Sequence, residues 1–365
     1  MAVRIARVGF RAWDLPLARP LRVGGRVIER RTGLLIIAED REGHAGIGET
    51  APLPGLHVES FEEAATQLLQ VAGELEGTTI PEGCRALAGA FETWLGGRGL
   101  HPSVRTGIEG AVLTLLADCA GMDLPHLLAT DPAARVRINA LLDGDAAAIL
   151  EGAPRCAAEG YTSLKIKVGR RDPHDEARLV VSIRAAVGPA VALRLDANRA
   201  WDLATALDFA ARVAPAGIEY LEEPLRDSND LTAFAAKSPV PIALDETLLE
   251  FSPQAPAPLR GIAALILKTS VLGGYERSLA WARLARRERL SAVISAAFPS
   301  AVGMALDAAC AATLGDETAH GLGTSSAFAE DLGRMPLVID GGSIDARQLP
   351  FRPGDFNLES TRVLR

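Results

Sequence analysis

Cysteine is scarce in this 365-residue chain: Cys84, Cys119, Cys156 and Cys310 stand far apart, with no C-x-x-C pair and no zinc-type spacing to histidine. They read as buried, reduced thiols rather than a disulfide framework or a structural zinc site. No apolar run approaches the roughly 18 residues of a membrane span. Arginines interrupt the N-terminal "MAVRIARVGFRAW" where a signal peptide would carry its apolar stretch, so a cytoplasmic protein is expected. Blocks of lysine or arginine are missing too. The net charge is −8 with acids and bases interleaved, so neither nucleic acid nor a membrane is an expected partner. Absence of H-E-x-x-H, G-x-S-x-G and a Walker loop removes the common zinc-protease, serine-hydrolase and nucleotidase readings.

What the chain does contain is a repeat. From about Val136 a short apolar strand, a few polar residues and an alanine-rich amphipathic helix recur. Strands are expected at 136–142, 163–168, 192–198, 217–224, 241–247, 263–270 and 291–298, with a weak eighth at 319–324. Asp172, Asp202 and either Ser228 or Asn229 read as helix N-caps. The prolines of "SPQAPAP" (252–258) discourage a long helix after strand five. Eight such units without a G-x-G-x-x-G turn predict a modified (β/α)8-type TIM barrel over 131–332. Residues 1–130, strands first and helices after, predict an N-terminal α+β capping domain. The tail, 333–365, is too short to fold alone and is expected to return to that domain.

Catalytic groups of a barrel gather where its strands end. Polar residues collect there: Lys165 and Lys167, then Asp196 and Asn198, Glu222, Asp245 and Lys268. Asp196, Glu222, Asp245 and Lys268 lie 26, 23 and 23 residues apart, one repeat each. Three converging carboxylates need a cation, and oxygen ligands alone select a hard ion such as Mg²⁺. Lys165 and Lys167 share a strand face, since side chains alternate. Their mutual repulsion is expected to lower the pKa of Lys167 and suit it to act as a base on a carboxylate substrate. Glu223 reads as a salt-bridge partner rather than a ligand. The six histidines form no ligand pattern, and only His320 is expected near the strand ends. "VLGG" (271–274) reads as a turn.

These residues resemble the enolase superfamily in its muconate-lactonizing subgroup. The resemblance rests on "KIK" (165–167), "LDAN" (195–198), "LEEP" (221–224), "LDET" (244–247) and "LKTS" (267–270), and it covers nearly the whole chain. It implies Mg²⁺, or Mn²⁺ as a substitute, held by Asp196, Glu222 and Asp245, with Lys167 and Lys268 facing each other across the substrate; Lys-plus-Mg²⁺ chemistry is known from enolase-type sites. It also implies that loops of the capping domain close the barrel mouth.

Within the subgroup, "ARPLRVGG" (18–25), "GETAPLPGLHVESFEEA" (48–64), "SAVISAAFPSAVGMALDAAC" (291–310) and "HGLGTSSAFAEDL" (320–332) are similar to the o-succinylbenzoate synthase family of menaquinone biosynthesis. That implies dehydration of a succinyl-hydroxycyclohexadiene carboxylate, with substrate contacts near Asn198, Ser295 and Phe298. The chain departs from the pattern at Pro299, where a glutamate is frequent, and at Gly323, where an aspartate is common. Dipeptide epimerase or N-acylamino acid racemase, muconate cycloisomerase, and a non-catalytic ligand-binding barrel remain the alternatives. The oligomeric state is not legible.

Overall fold

Alternating apolar residues commit most of residues 7–50 to strands. In the computed structural model, which describes residues 2–256 and 259–364, β1 (Arg7–Val23), β2 (Arg26–Glu39) and β3 (Ala45–Thr50) form an antiparallel meander. The helices α1 (Phe61–Leu75), α2 (Ala90–Leu95), α3 (Pro102–Ala120) and α4 (Leu124–Leu128) follow. Ser60 starts α1 with a capping box: its side chain accepts from the Glu63 N–H, and the Glu63 carboxylate accepts from the Ser60 N–H. Helix α3 lies directly on β3 because both surfaces carry glycine. A Cβ on Gly48 would collide with the Gly107 carbonyl oxygen.

The expected first barrel strand, 136–142, is two pieces. Arg137 ends β4 (Arg135–Arg137), which pairs antiparallel with β12 (Ser343–Asp345), and β5 (Ala140–Leu142) belongs to the barrel. The chain then alternates as predicted through α5 (Ala146–Ala158), β6 (Ser163–Lys167), α6 (Pro173–Val187), β7 (Ala192–Asp196), α7 (Leu203–Val213), β8 (Ile218–Glu222), α8 (Leu231–Lys237) and β9 (Ile242–Leu244). It continues with β10 (Ile262–Leu267), α9 (Thr269–Leu272), α10 (Tyr275–Arg287), β11 (Ser291–Ile294) and α11 (Ala301–Ala312). Asp172 and Asp202 cap α6 and α7 as expected. Neither Ser228 nor Asn229 caps α8: Asp227 caps an added 3₁₀ turn, Ser228–Asp230, and the N-cap of α8 itself is Asp230, without a side-chain capping bond. After β9 the described residues form the 3₁₀ turn Glu246–Glu250, in keeping with the prolines that follow; residues 257–258 of that stretch lie outside the described set.

Strands β5 to β11 are parallel and lie side by side in chain order. The segment expected as an eighth strand supplies bridges only: Ile138 with His320 and Ser295 with Gly321 join the two edges. The Asn139 N–H donates to the His320 carbonyl at 2.9 Å and the Gly321 N–H to that of Ile294 at 2.8 Å. A modified (β/α) barrel with an antiparallel-sheet unit packed against it is the result. Tyr220, Ala243, Ala264, Ile266 and Val293 fill the ring interior, each two residues or one further pair before a strand-end position, as the period of two requires. The leucines between them face the helices and join the main core. Near the C-terminus, β13 (Arg362–Leu364) pairs antiparallel with β1.

Helix α3 is buried along most of its length because it packs against β2, β3, α9 and α10. Among the described residues no helix is long and apolar enough to cross a membrane.

Candidate active site

The strand register itself assembles the polar cluster. Lys167 pairs with Asp196, and Asp196 with Glu222, as direct neighbours across β6, β7 and β8. Glu222 pairs with Ala243, so Asp245 stands one inward-facing position further on. Lys268 follows β10, where the Ser295 N–H donates to the carbonyl of Leu267 at 3.0 Å. The chain has only four lysines, and three of them are Lys165, Lys167 and Lys268. That scarcity was itself a sequence signal.

All three carboxylates are buried: Glu222 0%, Asp196 1% and Asp245 6% exposed. Lys165 Nζ lies 2.6 Å from Glu222 Oε1 and 2.8 Å from Asp196 Oδ2. Lys167 Nζ donates to Asp196 Oδ2 at 2.7 Å and to Asn198 Oδ1 at 2.8 Å. Lys268 Nζ contacts Asp245 Oδ2. Burial alone would push the Lys165 ammonium toward neutrality, but Asp196 and Glu222 outweigh it and hold its pKa well above the usual lysine range. Burial opposes charge on Asp196 as well, yet Lys165 and Lys167 keep that carboxyl far below the ordinary value. Glu222 goes the other way: burial, with Asp196 adding to it, raises its pKa well above the carboxylate range. Lys268 is raised, since Asp245 and Glu246 overcome its burial.

Backbone conformation at the strand ends is unusual. Asn198, Arg199, Glu223 and Phe298 have φ of 44°, 59°, 39° and 54°, a left-handed region that L-residues enter at a cost and that clusters at functional sites. Glu223 accounts for one of these. Its carboxylate accepts the backbone N–H groups of Asp245 and Thr247 at 2.7 and 2.8 Å and pairs with Arg199 at 3.1 Å, so it fixes the segment that carries Asp245. The expectation of a salt-bridge role holds. The adjacent Glu246, not singled out from sequence, is also part of the cluster: it takes an amide hydrogen from Asn198 at 3.4 Å, and burial followed by Asp245 pushes it up to about 7.

Of the residues expected to contact substrate, Asn198 reaches the cluster through Lys167. Ser295 is buried at the end of β11, beside the strand that leads to Lys268. Phe298 is three residues beyond, and its carbonyl accepts from Arg31 Nε at 3.1 Å. Next to Pro299, the Ser300 hydroxyl and N–H both donate to Glu49, which comes from β3. The acidic partner of this turn is thus supplied by the N-terminal unit. His320 is fully buried and receives the Ile294 N–H on Nδ1 at 3.0 Å; burial lowers its pKa to about 3, so it serves the ring closure. His57 is closer to the cluster than sequence reasoning suggested, with Nε2 3.2 Å from Ser270 Oγ. Nothing in the local sequence announces that contact.

An oxygen donor set of this kind fits a hard divalent cation. Glu222 Oε2 is buried without a hydrogen-bond partner among the described residues, as is Glu246 Oε2. In the structure Lys165 bridges Asp196 and Glu222 and Lys268 contacts Asp245, whereas the group among the described residues whose donor atoms lie within 4.8 Å of one another is Asp40, His44 and Cys119, between the β2–β3 turn and α3. There Asp40 Oδ2 accepts from His44 Nδ1 at 2.7 Å and from Cys119 Sγ at 3.5 Å, which satisfies the group internally. The four cysteines are free thiols; Cys84 and Cys310 are buried, whereas Cys119 and Cys156 are partly exposed.

Comparison with known proteins agrees with this geometry. Residues 148–354 match the enolase C-terminal domain-like family and residues 6–113 the MenC N-terminal domain. The o-succinylbenzoate synthase of Desulfotalea psychrophila is 30% identical over 364 residues, covering 92% of this chain and 97% of that protein. The chloroplastic protein PHYLLO of Arabidopsis thaliana is 32% identical over 348 residues; the match takes in 85% of this chain but only 20% of PHYLLO. The fold is that of the L-Ala-D/L-Glu epimerase from Bacillus subtilis, with a TM-score of 0.82 at 21% identity over 96% of this chain and 97% of that one. A strand register that brings the lysines and carboxylates together, and family matches at both ends of the chain, lead to one conclusion: the chain belongs to the enolase superfamily, in the branch that contains the o-succinylbenzoate synthases.

Proposed function

We propose that the chain is a hydro-lyase, an o-succinylbenzoate synthase that carries out the syn-dehydration of 2-succinyl-6-hydroxy-2,4-cyclohexadiene-1-carboxylate in menaquinone biosynthesis. The observation that carries the proposal is the consecutive register of Lys167, Asp196 and Glu222, with Lys268 and Asp245 further round the same ring. The division into a capping unit (1–130), a barrel (131–332) and a returning tail (333–365) belongs to the same reading.

Asp196, Glu222 and Asp245 are the residues proposed to hold Mg²⁺, as members of this superfamily typically do. The ion, when bound, supplies positive charge to the substrate carboxylate and makes the adjacent C–H bond more acidic. Lys167 takes that proton on Nζ, which leaves an enediolate. The C–O bond to the ring hydroxyl then breaks as the new ring double bond forms. Lys167 returns its proton to the departing hydroxide on the same face, and water leaves. Lys268, held as an ammonium by Asp245 and Glu246, stabilises the enediolate from the other side. Lys165 is the fixed charge beside Lys167, paired to two carboxylates. Asn198 orients Lys167 through its amide oxygen.

The rival with a specific argument is a dipeptide epimerase, because opposed lysines also suit removal of a proton from one face and its return to the other. Loss of cyclohexadiene absorbance should depend on Mg²⁺, stop with EDTA and fail in Lys167→Ala. Deuterium uptake at the α-carbon of L-Ala-L-Glu, without dehydration, would establish the epimerase instead.

A further inference from the structure

We propose that His57 is a positioning residue for Lys268, acting through Ser270. The inference rests on the reading of Lys268 given above.

The loop between β3 and α1 reads Ala51-Pro52-Leu53-Pro54-Gly55-Leu56-His57. It is closed on itself, since the N–H groups of Leu56 and His57 both donate to the Leu53 carbonyl, at 3.1 and 3.0 Å. His57 completes the closure by accepting the Leu53 N–H on Nδ1 at 2.9 Å. A ring nitrogen that accepts carries no proton, so in the neutral imidazole the hydrogen sits on Nε2. Burial favours that neutral form, lowering the pKa to about 4. Nε2–H is therefore free to donate outward, and it meets Ser270 Oγ at 3.2 Å.

Ser270 belongs to α9, a helix of four residues whose N-cap is Lys268. So short an element does not fix its own orientation and depends on outside contacts. Thr269 receives two: its hydroxyl donates to Asp307 at 2.6 Å and its carbonyl accepts from Thr106 Oγ1 at 3.2 Å. His57 provides the third, and it is the contact that comes from the N-terminal loop. The same loop is anchored at its start by Arg31, which donates to the carbonyls of Ala51 and Pro52. A rigid, internally bonded loop thus holds the turn from which Lys268 projects, and a catalytic ammonium misplaced by about 1 Å loses much of its effect.

The test compares His57→Ala, Ser270→Ala, their combination and His57→Gln, whose side-chain amide can donate from near the Nε2 position. Both single alanine variants should lower kcat about 10- to 100-fold while KM moves less than about threefold, because the affected group acts in the transition state. The double variant should be no worse than the poorer single one, as for residues acting through one bond. His57→Gln should recover most of kcat. Amide hydrogen exchange over residues 266–274 should speed up in His57→Ala with the melting temperature little changed; should that variant not fold, Ser270→Ala and His57→Gln carry the same comparison. Unchanged kcat, a loss confined to KM, or losses that multiply would overturn the proposal while leaving the dehydratase reading intact. If the wild type does not dehydrate the cyclohexadiene at all, that reading fails, and exchange at 266–274 alone decides the positioning role: unaltered exchange ends it.

Discussion

Lys165 and Lys167 place their ammonium nitrogens 2.8 and 2.7 Å from one and the same atom, Oδ2 of Asp196. Two like charges on one strand face are tolerated because they share an anion, and because Lys165 has a second one in Glu222. The two lysines are therefore not equivalent. Replacing Lys165 by methionine strips Glu222 of its ion-pair partner and halves the compensation of Asp196, with an expected stability loss of about 3–5 kcal/mol. Lys167→Met leaves Lys165 in place, so it should melt nearer the parent while dehydration falls at least about 1000-fold. Denaturant melts and initial rates check both. The opposite ranking, with Lys167→Met the less stable and still active, would mean the roles are exchanged.

Glu222 combines a buried oxygen that has no hydrogen-bond partner among the described residues with a pKa raised by burial and by Asp196. Glu222→Gln keeps the shape and removes the charge. The Mg²⁺ concentration for half-maximal rate should rise by more than about 10-fold, the lower end of what outer-shell partners of a metal contribute. In EDTA the variant should lose less stability than Lys165→Met, since Lys165 keeps Asp196 as its ion-pair partner. An unaltered Mg²⁺ titration would remove Glu222 from the ligand set.

The barrel and its arc of carboxylates and lysines are legible because both are periodic. Side-chain alternation put Lys165 and Lys167 on one face, and one repeat per strand put Asp196, Glu222, Asp245 and Lys268 at equivalent positions. Where the period broke, the reading lost precision. Residues 136–142 look continuous in hydrophobicity, yet Ile138 and Asn139 turn to bridge the closing segment while Arg135–Arg137 pairs with β12. His57 and Arg31 escaped notice for a different reason. Their partners are Ser270 and the carbonyls of residues 51, 52 and 298, and contacts to distant backbone or to a lone hydroxyl leave no local pattern.

Asp307 of α11 should make the stability pH-dependent. It is buried, its carboxylate accepts from Thr269 Oγ1 at 2.6 Å, and burial raises its pKa from the model-compound value of 3.8 to about 7. An acid raised in the folded state binds its proton more tightly there than when unfolded. Its contribution is thus complete below the unfolded pKa and is lost as pH rises toward 7, by up to about 4 kcal/mol. Asp307→Asn, neutral throughout, should flatten the fall in melting temperature between pH 5 and pH 8, as calorimetry at fixed ionic strength would register. Equal slopes for variant and parent would assign that fall to other buried acids, of which Glu49 and Glu109, both raised to about 7, are the first candidates.

Arg31 ties the N-terminal unit to the barrel by the planarity of its guanidinium. Only 1% exposed, it donates from Nε to Phe298 O at 3.1 Å, from one terminal nitrogen to Pro52 O at 3.0 Å and from the other to Ala51 O at 2.8 Å. Lysine has three donors as well, but they radiate from one atom on a shorter stem and cannot span both loops. Arg31→Lys should leave at least one buried carbonyl unpaired, at about 1–3 kcal/mol. KM should rise as the loop carrying Phe298 and the loop carrying His57 lose their common anchor, and added Mg²⁺ should not restore it, because the carboxylate cluster is untouched. Urea melts and a KM measured at saturating Mg²⁺ give the two readouts. A variant matching the parent in both would show that the capping loop keeps its place on the barrel without this residue, leaving Glu49 at Ser300 and His57 at Ser270 to hold it.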